Sequence, residues 1–514
     1  MAKYILTLDI GTTNIKGLLF DKKGEIFAES KERPSYIMEE RGQVEQDPKE
    51  IWDMSLKVMK EVIKSKNLTA ENIDSIAIST QRGSFLFWDK ETGNPISNII
   101  TWQDKRSAAF AEKMSKKTLL RIIRGVTKVI ALFSKNPKFI TASLLRFNSD
   151  YASARTGYYL DQNPDIARKI RINKSIIWGT IDTWILWNLT EGKVHATDYS
   201  NASSTGFLDP FDLVWNEIIY SKLLKIPEHI FPEVKNTRGD FGTTNLFGGN
   251  VPIKAIIADQ QASLFGQCCF NKGDMKVTNG TGSFVDINTG NAPFASKRKL
   301  YPLVAWVVED EATYMLEGMS HNTGNIIDWI QEKLGLFKNP AETEEMAMKV
   351  ESTNGVYFLP TFTSGISFPY WDPSARGNIF GISLDTSKEH IVRAVLEGIC
   401  FRIKDFVEGI MKDTKIKVNK IKADGGVSQN KFILQFLANI LGMEVHHSAQ
   451  TETTALGAAF MAGLETGFYE SKEELQQISN VDQVFTPNMD DEKRNIKYKC
   501  WQDIINRSLN YNNM

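Results

Sequence analysis

The sequence predicts an α/β protein made of two related lobes, and three observations lead there. The first lies in the opening residues, where short apolar runs alternate with turn residues: YILTLDI, GTTN, IKGLLFD, KKG, EIFAES. Such runs, cut by breakers, read as a meander of three strands. The second is a related pattern near the middle. There IKAIIAD runs into QQASLFGQ, MKVTNGTGSFVDINTG supplies two strands around a Gly-Thr-Gly turn, and ATYMLEG follows. The third is that helical stretches come after each sheet segment. In HIVRAVLEGICFRIKDFVEGIMKD the apolar residues Ile391, Val395, Ile399, Ile403, Phe406 and Ile410 recur near helical spacing. Alternation of this kind builds α/β layers. Both halves are expected to begin with a sheet segment ending in an aspartate, Asp9 in one and Asp259 in the other. The breaker cluster Phe247-Gly248-Gly249-Asn250 with Pro252 sets the expected boundary near residue 253, giving domains 1–253 and 254–514.

Composition narrows the function classes. A chain of 514 residues, 42% hydrophobic and 24% charged, has room for two to four cores. Its 61 Lys+Arg balance 62 Asp+Glu to a formal charge of -1, which gives no electrostatic footprint for nucleic acid. The four cysteines, Cys268, Cys269, Cys400 and Cys500, form no CxxC pair, so neither structural zinc nor a disulfide framework is expected, and the compartment is expected to be reducing. No apolar run approaches the ~20 residues of a membrane span, and the N-terminus enters YILTLDI without a charged n-region and cleavage site. A cytoplasmic protein is the expectation, although triplets such as Asn188-Leu189-Thr190 would accept glycans outside the cell. Six histidines show no ligand spacing, HExxH is absent, and Ser283 sits in GTGSF rather than GxSxG.

Three glycine turns carry the first chemistry. Asp9-Ile10-Gly11-Thr12-Thr13-Asn14-Ile15-Lys16 places a carboxylate at a strand end, then a turn with two hydroxyls, then a cation. Backbone N–H groups and hydroxyls there can face phosphate oxygens, Lys16 can neutralise them, and Asp9 can hold a hydrated magnesium ion. The same residues would also serve a plain hairpin in which Gly-Thr merely suits the turn. Asn279-Gly280-Thr281-Gly282-Ser283 is a second turn. Asp424-Gly425-Gly426-Val427-Ser428-Gln429-Asn430, between the strand VNKIKA and the helix NKFILQFLANIL, is a third. A glycine pair at a strand-to-helix corner permits close approach of a flat ligand and exposes helix N-terminal donors. One such turn could simply reverse the chain; three, divided between two duplicated halves, point to two lobes gripping one nucleotide. Neither GxxxxGK[ST] nor a complete GxGxxG occurs, so nucleotide would bind on neither a Walker loop nor a Rossmann fingerprint.

Eight segments, in order, carry a family resemblance: DIGTTNIKG, STQRGSFLFWDKETGNPISNIITWQDKR, GTIDTWILWNLTEGKVHATDYSNASSTG, ADQQASLFGQ, NGTGSF, SFPYWDPSARGNIFG, ADGGVSQNKFILQF and TTALGAAFMAGL. On these the chain resembles the FGGY carbohydrate kinases, most closely the glycerol kinases and among them the animal type. The resemblance implies a pair of ribonuclease-H-like domains of the actin/hexokinase kind with a nucleotide cleft between them. It implies ATP and Mg²⁺, a polyol acceptor with glycerol foremost, and a homo-oligomer. By the same resemblance Asp259 is the base that takes the proton of the substrate hydroxyl, and Asp9 and Asp259 hold the metal. Gln81, Arg82, Trp102, Gln260 and Phe284 are expected to meet the polyol. Gly11, Thr12, Thr13, Asn14, Lys16, Gly280, Thr281, Gly324, Gly425, Gly426 and Asn430 are expected to meet ATP and its phosphates. A kinase for a pentose, a hexose or another polyol, and a weakly active actin-like ATPase scaffold, are the alternatives.

The chain departs from the glycerol kinase pattern in three places. Lys16 stands where an arginine is usual, which keeps the charge but not the bidentate geometry. Gly83-Ser84 follow Gln81-Arg82 where Glu-Thr is usual, so an acceptor for the polyol is missing. Unless Ser84, a water or Asp104 takes over, this should weaken glycerol by roughly 1.5–3 kcal/mol or admit something bulkier. Residues 113–146 hold nine Lys/Arg and no Asp/Glu, including LLRIIRGVTKVIALF. That stretch is expected either to rest on domain I with a solvated basic face or to meet an anionic membrane or a partner. It also displaces the family's substrate tyrosine, for which Tyr151 is the candidate.

Overall fold

The computed structural model describes residues 2–134, 136–362, 365–448, 450–479 and 481–510. In the first lobe β1 (Tyr4–Ile10), β2 (Ile15–Phe20) and β3 (Ile26–Glu32) form the expected antiparallel meander. On the other side of β1 lie β4 (Ile73–Thr80) and then β5 (Val251–Ala258), both parallel to it. The second lobe contains β6 (Met275–Asn279), β7 (Ser283–Gly290), β8 (Tyr301–Val308), β9 (Glu311–Ser320), β10 (Lys420–Asp424), β11 (Glu444–Ser448) and β12 (Val481–Phe485). They are arranged in the order β8-β9-β7-β6-β10-β11-β12. With β8, β12 and the short edge strand Thr243–Thr244 of the first sheet set aside, each sheet reads 3-2-1-4-5, three antiparallel strands followed by two parallel ones, and the duplication inferred from sequence is a duplication of topology.

One expectation is corrected. IKAIIAD does not open the second half; as β5 it is the fifth strand of the first sheet, in register with β4. The change of sheet therefore falls between residues 258 and 275 rather than at 253.

Period two explains where the site forms. Along β1, Leu6, Leu8 and Ile10 point into a core shared with Val58, Met59 and Val62 of the helix α1 (Pro48–Ser65). The opposite face carries Ile5, Thr7 and Asp9, of which Ile5 joins a second core. A helical pair, α2 (Thr118–Phe133) and α3 (Pro137–Leu144), is attached to the first lobe. Between the two sheets lie α4 (Asp259–Gly266), directly after β5, and α7, introduced after the long α5 (Lys388–Thr414) and α6 (Lys431–Leu441); α7 spans Thr453–Thr466. Ala262 and Phe265 of α4 and Phe460 of α7 share one core with Ile5 and Ile257 of the first sheet and Trp306 and Met315 of the second. The helices cross backbone to backbone: a Cβ on Gly457 would lie 1.8 Å from the Ala262 carbonyl oxygen, and one on Gly266 2.1 Å from that of Thr453. Among the described residues no helix is long and apolar enough to cross a membrane, and all four cysteines are free.

Candidate active site

A cavity of about 220 Å³ opens between the lobes. From the first lobe it is lined by Thr12, Thr13, Arg82, Trp102, Asp150, Tyr151, Asp259 and Gln260; from the second by Gly280, Thr281, Phe284, Tyr301, Glu317 and His321, among others. Asp259 reaches it because β5 ends there and α4 begins. Its Oδ1 accepts a hydrogen bond from the Gln260 N–H at 2.7 Å and lies 3.3 Å from Arg82 Nε. A helix start supplies N–H donors to an anion, yet burial is the larger influence and holds the Asp259 carboxyl above its ordinary pKa, with Arg82 opposing it.

Arg82 is the hub. Its NH2 group donates to Glu317 Oε2 at 2.6 Å, its guanidinium lies 5.7 Å from the centroid of the Phe284 ring, and only 12% of its side chain is exposed. Glu317 comes from β9 and is 3% exposed. Burial pushes its carboxyl up to about 7 even with Arg82 beside it. Behind them Lys276 Nζ donates to Gln260 Oε1 at 2.7 Å and pairs with Asp286 at 2.7 Å, which fixes the side-chain amide of Gln260. Trp102 Nε1 donates to Thr12 Oγ1 at 3.1 Å, and its ring stacks on His321 at 5.8 Å. Burial, then Lys105, lowers His321 to about 4, so the imidazole is neutral. Burial works to raise the Asp150 carboxyl, but Lys105 at 2.7 Å, with a hydrogen bond from the Asn148 side chain, outweighs it and holds it below its ordinary range.

Thus Asp259, Arg82, Trp102, Tyr151, Gln260, Phe284, Thr12, Thr13, Gly280 and Thr281 come together as the sequence implied. Others stand behind them. Gln81 is 1% exposed and braces the first turn, its Nε2 donating to Gln46 Oε1 at 3.2 Å and its Oε1 facing Thr12 Oγ1 at 3.5 Å. Placed among the polyol contacts by sequence, it does not line the cavity. Gly11 and Asn14 close that turn through an N–H···O bond of 2.9 Å. Lys16 is held by Glu452 at 2.5 Å. Gly324 donates its N–H to the Gly280 carbonyl at 3.0 Å, and the Gly425 backbone abuts Asn279, so the second and third turns lie against each other with Gly324 beside them. Asn430 caps α6 by accepting from Ile433 N–H at 3.1 Å, beside Gly426.

The gap expected at residue 83 is filled. Gly83 has φ 69°, a left-handed conformation, and a Cβ there would stand 3.2 Å from an Arg155 guanidinium nitrogen. Arg155 is itself buried and donates to the Gly83 carbonyl at 3.0 Å. Arg155 therefore takes up part of the space beside Gly83, and neither residue lines the cavity. Nor do the expected substitutes serve. Ser84 Oγ accepts from Trp102 N–H, while Asp104 is bound to Arg106 and to the Val44 N–H, and neither lines the cavity. Besides Asp150, the pocket's further carboxylate is Glu317, which the sequence reading missed. Its one signal was an acid in the otherwise apolar run YMLEGM, where an unpaired charge would be costly.

The metal question rests on Asp9. Its carboxyl is pushed up to about 7, first by burial and next by Glu452, against Lys16, and its Oδ1 has no hydrogen-bond partner among the described residues. A cation would satisfy that oxygen and offset the local negative charge. No group of three or more His, Cys, Asp or Glu among the described residues is arranged to hold a metal. Mg²⁺ needs less, since it binds through one or two carboxylates with waters and substrate phosphates, and Asp9 fits that mode.

The chain matches known proteins along nearly its whole length. The N-terminal domain of the FGGY family of carbohydrate kinases matches residues 4–266 and its C-terminal domain residues 275–465. Glycerol kinase 5 of Danio rerio is 39% identical over 99% of this chain and 97% of its own length. The glycerol kinase of Caldanaerobacter subterraneus subsp. tengcongensis is 40% identical over 99% of each chain. Among solved structures, Plasmodium falciparum glycerol kinase with ADP superposes with a TM-score of 0.87 at 31% identity, covering 99% of this chain and 98% of that one. Gluconate kinase from Lactobacillus acidophilus, at 22% identity and a TM-score of 0.84, shares the fold.

Proposed function

This chain belongs to the FGGY family of carbohydrate kinases, and we propose that it transfers the terminal phosphoryl group of ATP to glycerol, giving sn-glycerol 3-phosphate and ADP. The observation that carries this reading is Asp259 at the junction of the lobes. It is bound to Arg82, whose guanidinium faces the Phe284 ring, and the Thr12-Thr13 and Gly280-Thr281 turns face the same cavity.

In this reading Arg82 and Gln260 orient the polyol by hydrogen bonds, with Phe284 against its carbons. Asp259 accepts the hydroxyl proton as the new O–P bond forms and the bond to ADP breaks, a step that needs mostly positioning and charge neutralisation. Burial raises the affinity of Asp259 for that proton, which suits the role. Magnesium, held by Asp9 together with the nucleotide's phosphates, would supply charge neutralisation at the phosphate oxygens. The Thr12, Thr13 and Thr281 hydroxyls and the N–H groups of the turns receive those phosphates.

Gly83 was the observation that favoured a pentose or hexose, and the buried Arg155 beside it weakens that reading. A non-catalytic scaffold would need the phosphate turns but not the assembly of Arg82, Trp102, Asp259, Gln260 and Glu317. A cytoplasmic location accords with ATP as co-substrate and with free cysteines. Coupled ADP release across a panel of polyols and sugars tests the reading. Glycerol should give the highest kcat/KM; a higher value for a pentose or hexose, or ADP release indifferent to every acceptor, would overturn it.

A further inference from the structure

The helical pair α2 and α3 is unlike the rest of the surface. Seven of the twenty large apolar side chains exposed among the described residues lie on α2, a helix of 16 residues. Ile122, Val126, Val129 and Phe133, 54–88% exposed, are spaced i, i+4, i+7 and i+11 and so form one stripe. The stripe is not the face that packs: Leu120, the buried residue of α2, lies on another side of the helix. Scattered exposed apolar residues are ordinary, whereas a continuous stripe about 16 Å long marks an interaction surface.

Charge identifies the partner. Residues 113–146 hold nine Lys/Arg and no Asp/Glu in a protein whose net charge is -1. Exposed Arg121 and Lys128, two turns apart, share a face of α2 next to the stripe. Beside α3, Pro137 and Ile140 share a hollow with Lys297, Arg298, Lys412 and Lys415 of the second lobe. The single carboxylate there, Asp413, is bonded to Ser296, and Lys412 pairs with Glu408. A second copy of the chain would set basic face against basic face, and a nucleic acid would leave the apolar stripe uncovered. A lipid surface with anionic headgroups satisfies both features at once, with apolar side chains entering the acyl boundary and basic groups at headgroup level. We propose that α2 and α3 dock this kinase on anionic membranes, lying on the bilayer rather than spanning it.

The full-length protein is mixed with vesicles of phosphatidylcholine alone or of phosphatidylcholine with phosphatidylserine, and the bound fraction is read by flotation. Binding should require phosphatidylserine and weaken as salt shortens the screening length from ~10 Å at 0.1 M to ~3 Å at 1 M. Arg121→Gln and Lys128→Gln should each weaken it about fivefold. Val129→Ser with Phe133→Ser should abolish it, while glycerol-dependent ADP release in solution and the thermal midpoint stay unchanged. Because those residues are exposed, the variants should fold, and a failure here is distinguishable from failure of the kinase reading. Absence of flotation with phosphatidylserine, or equal flotation of wild type and variants, overturns the proposal. So does a dimer in solution that the serine variants convert to monomer.

Discussion

Replacing Glu317 with glutamine is the most informative single change at the site. The wild-type carboxylate holds Arg82 at 2.6 Å from a position 3% exposed, and Arg82 lies 3.3 Å from Asp259 on its other side. Glutamine keeps the shape and can still accept from Arg82, so the guanidinium stays while half of its counter-charge leaves. The remaining attraction then falls on Asp259, whose carboxylate becomes a weaker base. A hydrogen bond to a charged group contributes about 1.5–3 kcal/mol, or about 10- to 150-fold at 1.4 kcal/mol per tenfold. Steady-state kinetics should show kcat/KM for glycerol lowered by that factor, with KM for ATP nearly constant. Stability gives a second readout with a definite sign. Burial lifts the Glu317 carboxyl from 4.5 to about 7, so the folded protein binds this proton more tightly than the unfolded chain. Its contribution is therefore fully present below pH 4.5 and is lost as pH rises through about 7. The variant should lack that decline in thermal midpoint. If kcat/KM for glycerol changes less than about threefold, and the midpoint keeps its wild-type pH dependence, Glu317 is a bystander and the account of Arg82 is wrong.

Asp259→Asn should lower kcat by ~10²–10⁴-fold with ATP affinity nearly intact, because the amide keeps the Gln260 N–H contact but cannot accept the proton; turnover within tenfold of wild type removes Asp259 from its role. Asp9 must be ionised to hold a cation, and with its carboxyl at about 7 the apparent affinity for Mg²⁺ should rise between about pH 6 and about pH 8. Asp9→Asn should flatten that rise in Mg²⁺ titrations of ADP release, and a flat wild-type profile would count against the site. Gly457→Ala drives a methyl to 1.8 Å from the Ala262 carbonyl and should cost about 1–3 kcal/mol or more, visible as a lowered midpoint by calorimetry. An unchanged midpoint would mean that the crossing is looser than its geometry.

What could be read from sequence and what could not divide along a physical line. The meander and the glycine turns were legible because their signals, period two and φ-tolerant residues, are local. The role of β5 was not: its run of apolar residues says strand, but pairing with β4, far back in the chain, is decided by which neighbour buries it. Gln81 and Arg82 are adjacent, yet one braces the first turn and the other enters the cavity, and only the chain path after β4 distinguishes them. The gap at Gly83 looked like a lost acceptor when residues were compared position by position. Arg155, 72 residues on, takes up space beside it and donates rather than accepts, and sequence spacing discloses neither. Glu317 escaped for the same reason, since an acid in an apolar strand is a question whose answer, Arg82, lies 235 residues away.

That last pairing has a consequence for how the enzyme handles water. Arg82 and Lys16 belong to the first lobe, Glu317 and Glu452 to later parts of the chain, and both ion pairs close across the cleft that nucleotide must enter. The crossing of α4 and α7, by contrast, is backbone against backbone and leaves no room for sliding. An opening of the cleft that kept this crossing intact would part both ion pairs. Once they part, Arg82 loses the carboxylate that aims it, and Asp259 alone faces a guanidinium free to swing. The acceptor half of the site is complete only when the lobes are closed and water is largely displaced by the polyol, so phosphoryl transfer to water is disfavoured without a group dedicated to excluding it.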